Sequence, residues 1–190
     1  ISYYIIDSVV DMIETAWRGG DGDDRLGRVF TDVYRFAFPK IVQLILPMAM
    51  RHLSWHPQKF IFFNGEAIYD SFWDNEESAG LDFTVKAYHL KKKYADCFAS
   101  DTPETMVDTL SPAVCANRFP GDNREVYTLY NRAYSTYRGK ALRVVHEEGT
   151  VYYDAWNETE LTPVVHDGFA ELSVAMPAQS IGCIEVRRRG

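Results

Sequence analysis

Through the first hundred positions apolar residues recur at helical spacing, and after that the rhythm changes. Ser2 can cap a first helix, in which Ile5, Val9, Met12, Ile13 and Trp17 share one stripe. Gly19-Gly20-Asp21-Gly22 stops it. A second helix is expected from Asp23 or Asp24, whose carboxylates suit a positive N-terminal end. Leu26, Val29, Phe30, Val33 and Tyr34 supply its stripe, and Pro39 closes that region. Ile41 to Leu46 is a nearly continuous apolar run between prolines, as a strand buried on both faces reads. Ser54 to Trp73 is ambiguous: Pro57 can open a helix, yet Phe60-Ile61-Phe62-Phe63 also fits a buried strand. The balance favours a helix. Leu81 to Phe98 reads clearly as a helix, with Phe83, Ala87, Leu90, Tyr94 and Phe98 on one side and lysines on the other.

The polar segment Ser100-Asp101-Thr102-Pro103-Glu104-Thr105 marks the change. Beyond it, short alternating runs predict strands at Val114–Phe119, Glu125–Arg132, Lys140–His146, Val151–Asn157, Thr162–His166, Ala170–Ala175 and Ile181–Arg188. Turn residues separate them, as at Pro120-Gly121-Asp122-Asn123, Arg138-Gly139, Glu147-Glu148-Gly149 and Asp167-Gly168. The expected architecture is an α/β segment over residues 1–100 followed by an all-β antiparallel sandwich over 101–190.

Composition narrows the classes. With 46% hydrophobic residues in 190 the chain can bury a core, and no run of 18 apolar residues suggests a membrane span. The net charge is −7. Lys91-Lys92-Lys93 and Arg187-Arg188-Arg189 are too short to make the wide basic face that nucleic acid requires, so they read as solvated. Neither nucleic acid nor membrane is an expected partner. The three cysteines, Cys97, Cys115 and Cys183, stand far apart without a CxxC, which argues against a disulfide framework and a zinc site. Cys183 reads as a buried strand thiol. Gly20-Asp21-Gly22-Asp23-Asp24 fails the EF-hand pattern, with Arg25 and Leu26 at its fifth place and glycine position. No metal or cofactor is expected. Asn157-Glu158-Thr159 fits the glycosylation triplet. The chain opens at Ile1, directly in a helical pattern, which suggests a piece of something longer.

Glu125-Val126-Tyr127-Thr128-Leu129-Tyr130-Asn131-Arg132, Gly139 to Val145, Gly149-Thr150-Val151-Tyr152-Tyr153-Asp154-Ala155-Trp156 and Pro177 to Val186 carry a resemblance. They are similar to the small sandwich that follows the catalytic barrel in many glycoside hydrolases. Phe63-Asn64-Gly65-Glu66 and the helix after it resemble the last segments of such a barrel. The resemblance implies the end of a (β/α)8 barrel of the α-galactosidase and α-amylase kind, with a carbohydrate substrate and the remainder of the barrel as partners. On its own, this chain is expected to be inactive. Two other readings stay open: a carbohydrate-binding sandwich module, and a purely structural domain without a ligand.

Glycoside hydrolysis needs two carboxyl groups about 5–5.5 Å apart for retention or about 6.5–9.5 Å for inversion. In a barrel they stand at the C-terminal ends of strands. Glu66 and Asp70 are the candidates. If Phe60–Phe63 is a strand, Glu66 lies near its top; if a helix, Glu66 and Asp70 are a like-charged pair on one face. Asp7 and Asp11 read as a solvated helix face. Arg51 and His52 follow the first buried strand and could reach sugar hydroxyls, though a plain connecting loop is the stronger reading. Trp55 and Trp73 could stack on a pyranose ring. Trp156 has the same chemistry, but core or interdomain packing is the stronger reading.

Overall fold

Eight strands dominate the second half of the chain, and their order explains its sequence. The computed structural model describes residues 26–27, 29, 31–41, 44–45, 56–68 and 78–188. Before the strands come α1 (Val33–Ala37), β1 (Leu44–Ile45), α2 (His56–Phe63), β2 (Ala67–Ile68), α3 (Ser78–Lys93) and α4 (Ala95–Phe98). Then follow β3 (Val114–Pro120), β4 (Arg124–Asn131), β5 (Tyr137–Val145), β6 (Val151–Asp154), β7 (Thr159–Glu160), β8 (Val164–His166), β9 (Phe169–Met176) and β10 (Ile181–Arg187). Every strand expected beyond the polar segment forms, and the two-residue β7 joins them. Arg138-Gly139, expected as a turn, instead lies inside β5. Asp167-Gly168 does turn: both residues have positive φ (51° and 76°), as a two-residue hairpin between right-twisted strands requires.

The strands form two antiparallel sheets, β3-β4-β10-β6-β7 and β5-β9-β8. They share a core in which Val114, Ala116, Leu129, Ile184 and Val186 meet Leu142, Val144, Leu172 and Met176. The larger sheet is covered on its other face as well. There Cys115, Phe119, Val126, Tyr130, Ile181 and Cys183 pack against Phe60, Phe62, Phe63, Leu90, Tyr94 and Phe98 of the helices. Alternate residues of β4 and β10 thus serve two different cores. Both faces of these strands are therefore covered, and nearly every residue of β4 and β10 is buried. Cys183 is buried as expected, and all three cysteines are free thiols.

The first half departs further from expectation. Among the described residues between Leu26 and Pro39, only Val33–Ala37 is helical. Leu26 makes an antiparallel bridge to Ala133, and the Gly27 amide donates to the Arg132 carbonyl at 2.6 Å. Arg132 returns the tie, its Nε donating to the Gly27 carbonyl at 2.8 Å. The two-sheet unit therefore claims this backbone before it can coil. The helix begins only after Asp32, an extended N-cap whose carboxylate accepts the Tyr34 amide at 2.8 Å. The expected stripe is reversed at its end, where Val33 and Tyr34 are exposed and Arg35 is buried, while Val29 does pack on the core. The expected strand at Ile41–Leu46 forms in its centre, where β1 pairs in parallel with β2. Helix α2 connects them, so Phe60–Phe63 is helical as the balance favoured. Expectations for Ser2–Trp17 lie outside the described residues.

Candidate functional site

The described side chains of helix α2, Lys59, Phe60, Ile61, Phe62 and Phe63, are all shielded from solvent. Its end is fixed by glycine. Gly65 takes φ +69°, its amide donates to the Phe62 carbonyl at 2.9 Å, and the Glu66 amide reaches back to Ile61 at 3.0 Å. This paired bonding is the Schellman stop, which needs a left-handed residue at that place. The larger sheet completes it. Thr128 Oγ1 and Asn117 Nδ2 both donate to the Phe63 carbonyl, at 2.6 and 2.9 Å. Asn117 is held in turn by the Met106 amide and the Thr105 hydroxyl, each donating to its Oδ1 at 2.9 Å. One turn before Phe63, Lys59 donates from its Nζ to the Gln179 carbonyl.

Glu66 emerges directly from this stop and precedes β2, so it stands at the N-terminal end of that strand. It is 2% exposed, and neither carboxyl oxygen finds a hydrogen-bond partner among the described residues. Asp32, Arg35 and Lys91 surround it. Arg35 donates from Nη2 to the Phe98 carbonyl at 2.7 Å, and its guanidinium lies 5.6 Å from the centre of the Phe119 ring. Lys91 Nζ donates to the carbonyls of Gly65, at 3.0 Å, and Glu66. Two cations thus meet the carboxyl end of α2, where the helix dipole favours them. Burial, and then the neighbouring Asp32 carboxyl, push the Glu66 carboxyl well above its ordinary range, against the pull of Lys91 and Arg35. Burial, with Arg35 beside it, pushes the Lys91 ammonium down to about 7.

The other predicted site residues, Asp70, Arg51, His52, Trp55 and Trp73, lie outside the described residues, as do Asp7, Asp11 and the Gly20–Asp24 loop. Trp156 is described. It packs on Phe62 and Phe83, each with ring centres 5.4 Å away, at the boundary between helices and sheets. It sits past the end of β6, because Asp154 turns the chain by accepting the Asn157 amide at 2.9 Å. Asn157, of the glycosylation triplet, donates its side-chain amide to the same carboxylate at 2.8 Å. Among the described residues no sheet face presents a row of exposed tryptophans or tyrosines; Tyr34, Tyr88 and Tyr134 are exposed singly.

Sequence reasoning missed the charged half of this boundary. Asp32, Arg35 and Lys59 carried no signal, because a buried charge looks like a surface charge until its partners are known. Lys91 was assigned to a solvated face. It follows Leu90 in the last turn of α3, and its aliphatic stem lets the ammonium reach inward. The missed signal was the Asn64-Gly65 pair after an apolar run, a helix stop that would have settled the element type.

No family model matches this sequence, and no curated protein matches it. Solved structures do resemble it. An α-amylase from Geobacillus thermoleovorans, solved with acarbose, matches 72% of this chain with 8% identity and a TM-score of 0.51. A candidate α-galactosidase from Bacteroides fragilis matches 78% with 10% identity and a TM-score of 0.51. The chain spans 33% and 34% of those two proteins. It has a glycoside-hydrolase-like fold, rich in antiparallel sheet, and its structural neighbours are carbohydrate-active enzymes.

Proposed function

We propose that this chain is the C-terminal portion of a glycoside hydrolase: residues 1–100 end a catalytic barrel, and the sandwich of 101–190 stabilises it. The supporting observation is the parallel β1–α2–β2 unit, whose crossover helix is bonded through Phe63 to Asn117 and Thr128 of the larger sheet. Parallel strands joined by a helix are the repeating unit of such barrels. The likeness to the Bacteroides fragilis structure, over 78% of the chain, also extends well beyond the sandwich, which holds fewer than half the residues.

In this reading the two candidate acids have different tasks. Asp70 follows β2 in sequence, the side on which a barrel gathers its chemistry, and serves as one of the opposed carboxyl groups. Arg51, His52, Trp55 and Trp73 likewise follow β1 or β2 in sequence and contact the sugar. Glu66 precedes β2 and holds the boundary with the sandwich. The remaining barrel supplies the rest of the site and its second acid.

Turnover of p-nitrophenyl α-glucoside and α-galactoside by the complete polypeptide tests this. Asp70→Asn should lower kcat by about 10²–10⁴-fold, the usual contribution of an acid–base group. Glu66→Gln should leave kcat unchanged and alter stability against pH. The sign follows from the raised pKa: the folded chain holds the Glu66 proton to higher pH than the unfolded chain. Stability therefore falls as pH rises from about 4.5 through the raised folded value. Glutamine removes that fall. A Glu66→Gln enzyme without turnover but with the wild-type stability profile would return Glu66 to the chemistry. A complete protein that hydrolyses neither glycoside, nor any other in a panel of α- and β-linked sugars, would overturn the proposal.

A further inference from the structure

A groove of about 650 Å³ runs between α3 and the turn that follows β6. The volume lies within the roughly 300–1,000 Å³ of small-molecule sites, and such sites favour boundaries between structural units. Two aromatic rings, Tyr153 and Trp156, form one wall, both half-buried. Their inner sides are anchored: Trp156 packs on Phe62 and Phe83. Over each ring stands an ammonium, Lys86 Nζ at 4.8 Å from the Trp156 centre and Lys93 Nζ at 5.1 Å from that of Tyr153. Lys86 is half-buried and Lys93 is exposed.

The charge of the lining selects the ligand class. Asp82 and Glu158 offset Lys86 and Lys93, so neither an anion nor a cation is favoured. The lining nevertheless carries acceptors (Asp82, Glu158) and donors (Lys86, Lys93) beside two half-buried aromatic rings. A neutral polyol with an apolar C–H face satisfies both features; a pyranose is such a molecule. We infer that the groove between α3 and the β6 turn is a saccharide-binding site, built from Tyr153, Trp156, Asp82, Lys86 and Glu158. Glu66 is not among its lining residues. The site deepens the carbohydrate reading above and rests on that reading only for the choice of sugars to test.

The test is titration of this isotope-labelled chain with maltotriose and with methyl α-D-galactopyranoside, followed by amide and indole NMR signals. Inorganic phosphate is the control. Saturable shifts at the Trp156 indole and the amides of Asn157 and Glu158 are expected with at least one sugar and not with phosphate. Asp82→Ala lies on the exposed side of α3 and removes one charged acceptor, so it should weaken binding about tenfold. No shift up to about 50 mM sugar, weaker than any affinity a built site would show, would overturn the inference. So would shifts that phosphate reproduces, or shifts that Asp82→Ala leaves unchanged. Sugar binding here without hydrolysis by the complete protein would leave this site standing and remove the proposed activity; the reverse pattern would do the opposite.

Discussion

Phe119→Ala should destabilise the chain by about 3–5 kcal/mol, the cost of removing a fully buried phenylalanine. Its side chain is 0% exposed. It is also where the two halves of the chain meet. Phe119 belongs to β3, yet its ring packs on Phe36 of α1 and Phe98 of α4, with centres 6.0 and 5.1 Å away. Arg35 lies over the same ring. The cavity would open beneath the buried Arg35 guanidinium, which places the loss toward the upper end. Urea unfolding followed by far-UV circular dichroism measures it. A loss below about 1 kcal/mol would mean that the ring fills space without joining the halves.

Gly65→Ala is expected to cost about 2–5 kcal/mol, from two separate causes. The left-handed backbone at φ +69° penalises any side chain by about 1–2 kcal/mol. The new methyl would also stand 2.7 Å from Phe119 Cε1 and 3.1 Å from Phe98 Cδ1. Both are ring atoms in a packed core, where overpacking adds about 1–3 kcal/mol. Only the second cause depends on Phe119. Adding Phe119→Leu to Gly65→Ala should therefore cost less than the sum of the two single changes, a coupling that a double-mutant cycle reads directly. Strict additivity would show that the helix stop and the sheet do not press on one another.

The strands were legible because turn residues punctuate them and because alternation survives at their ends. Boundaries slipped where a side chain reorganised the backbone, as Asp154 does in ending β6 three residues early. Helix α2 was harder to read because its described side chains are all buried. With Lys59, Phe60, Ile61, Phe62 and Phe63 all inside, that stretch shows no polar face, so periodicity cannot separate it from a strand. The second expected helix failed for a different reason. Its stripe was real as a pattern, but Leu26 and Gly27 are tied to Ala133 and Arg132, more than a hundred positions away. Pairings of that range leave no local mark. A place for Glu66 near a strand top depended on Phe60–Phe63 being a strand. Once α2 is a helix, the residue sits before β2 instead of at a strand top.

That dependence leaves one claim beneath the rest: the helical half and the larger sheet are a single cooperative structure, joined at Phe63, Asn117, Thr128 and Phe119. Native-state hydrogen exchange of the whole chain in increasing denaturant measures it most directly. The amides of Ile61–Phe63 in α2 and of Tyr127–Leu129 in β4 should converge on one opening free energy. If the α2 amides instead exchange through a separate opening more than about 2 kcal/mol below that of β4, the two halves are only neighbours, and the account of the boundary is wrong.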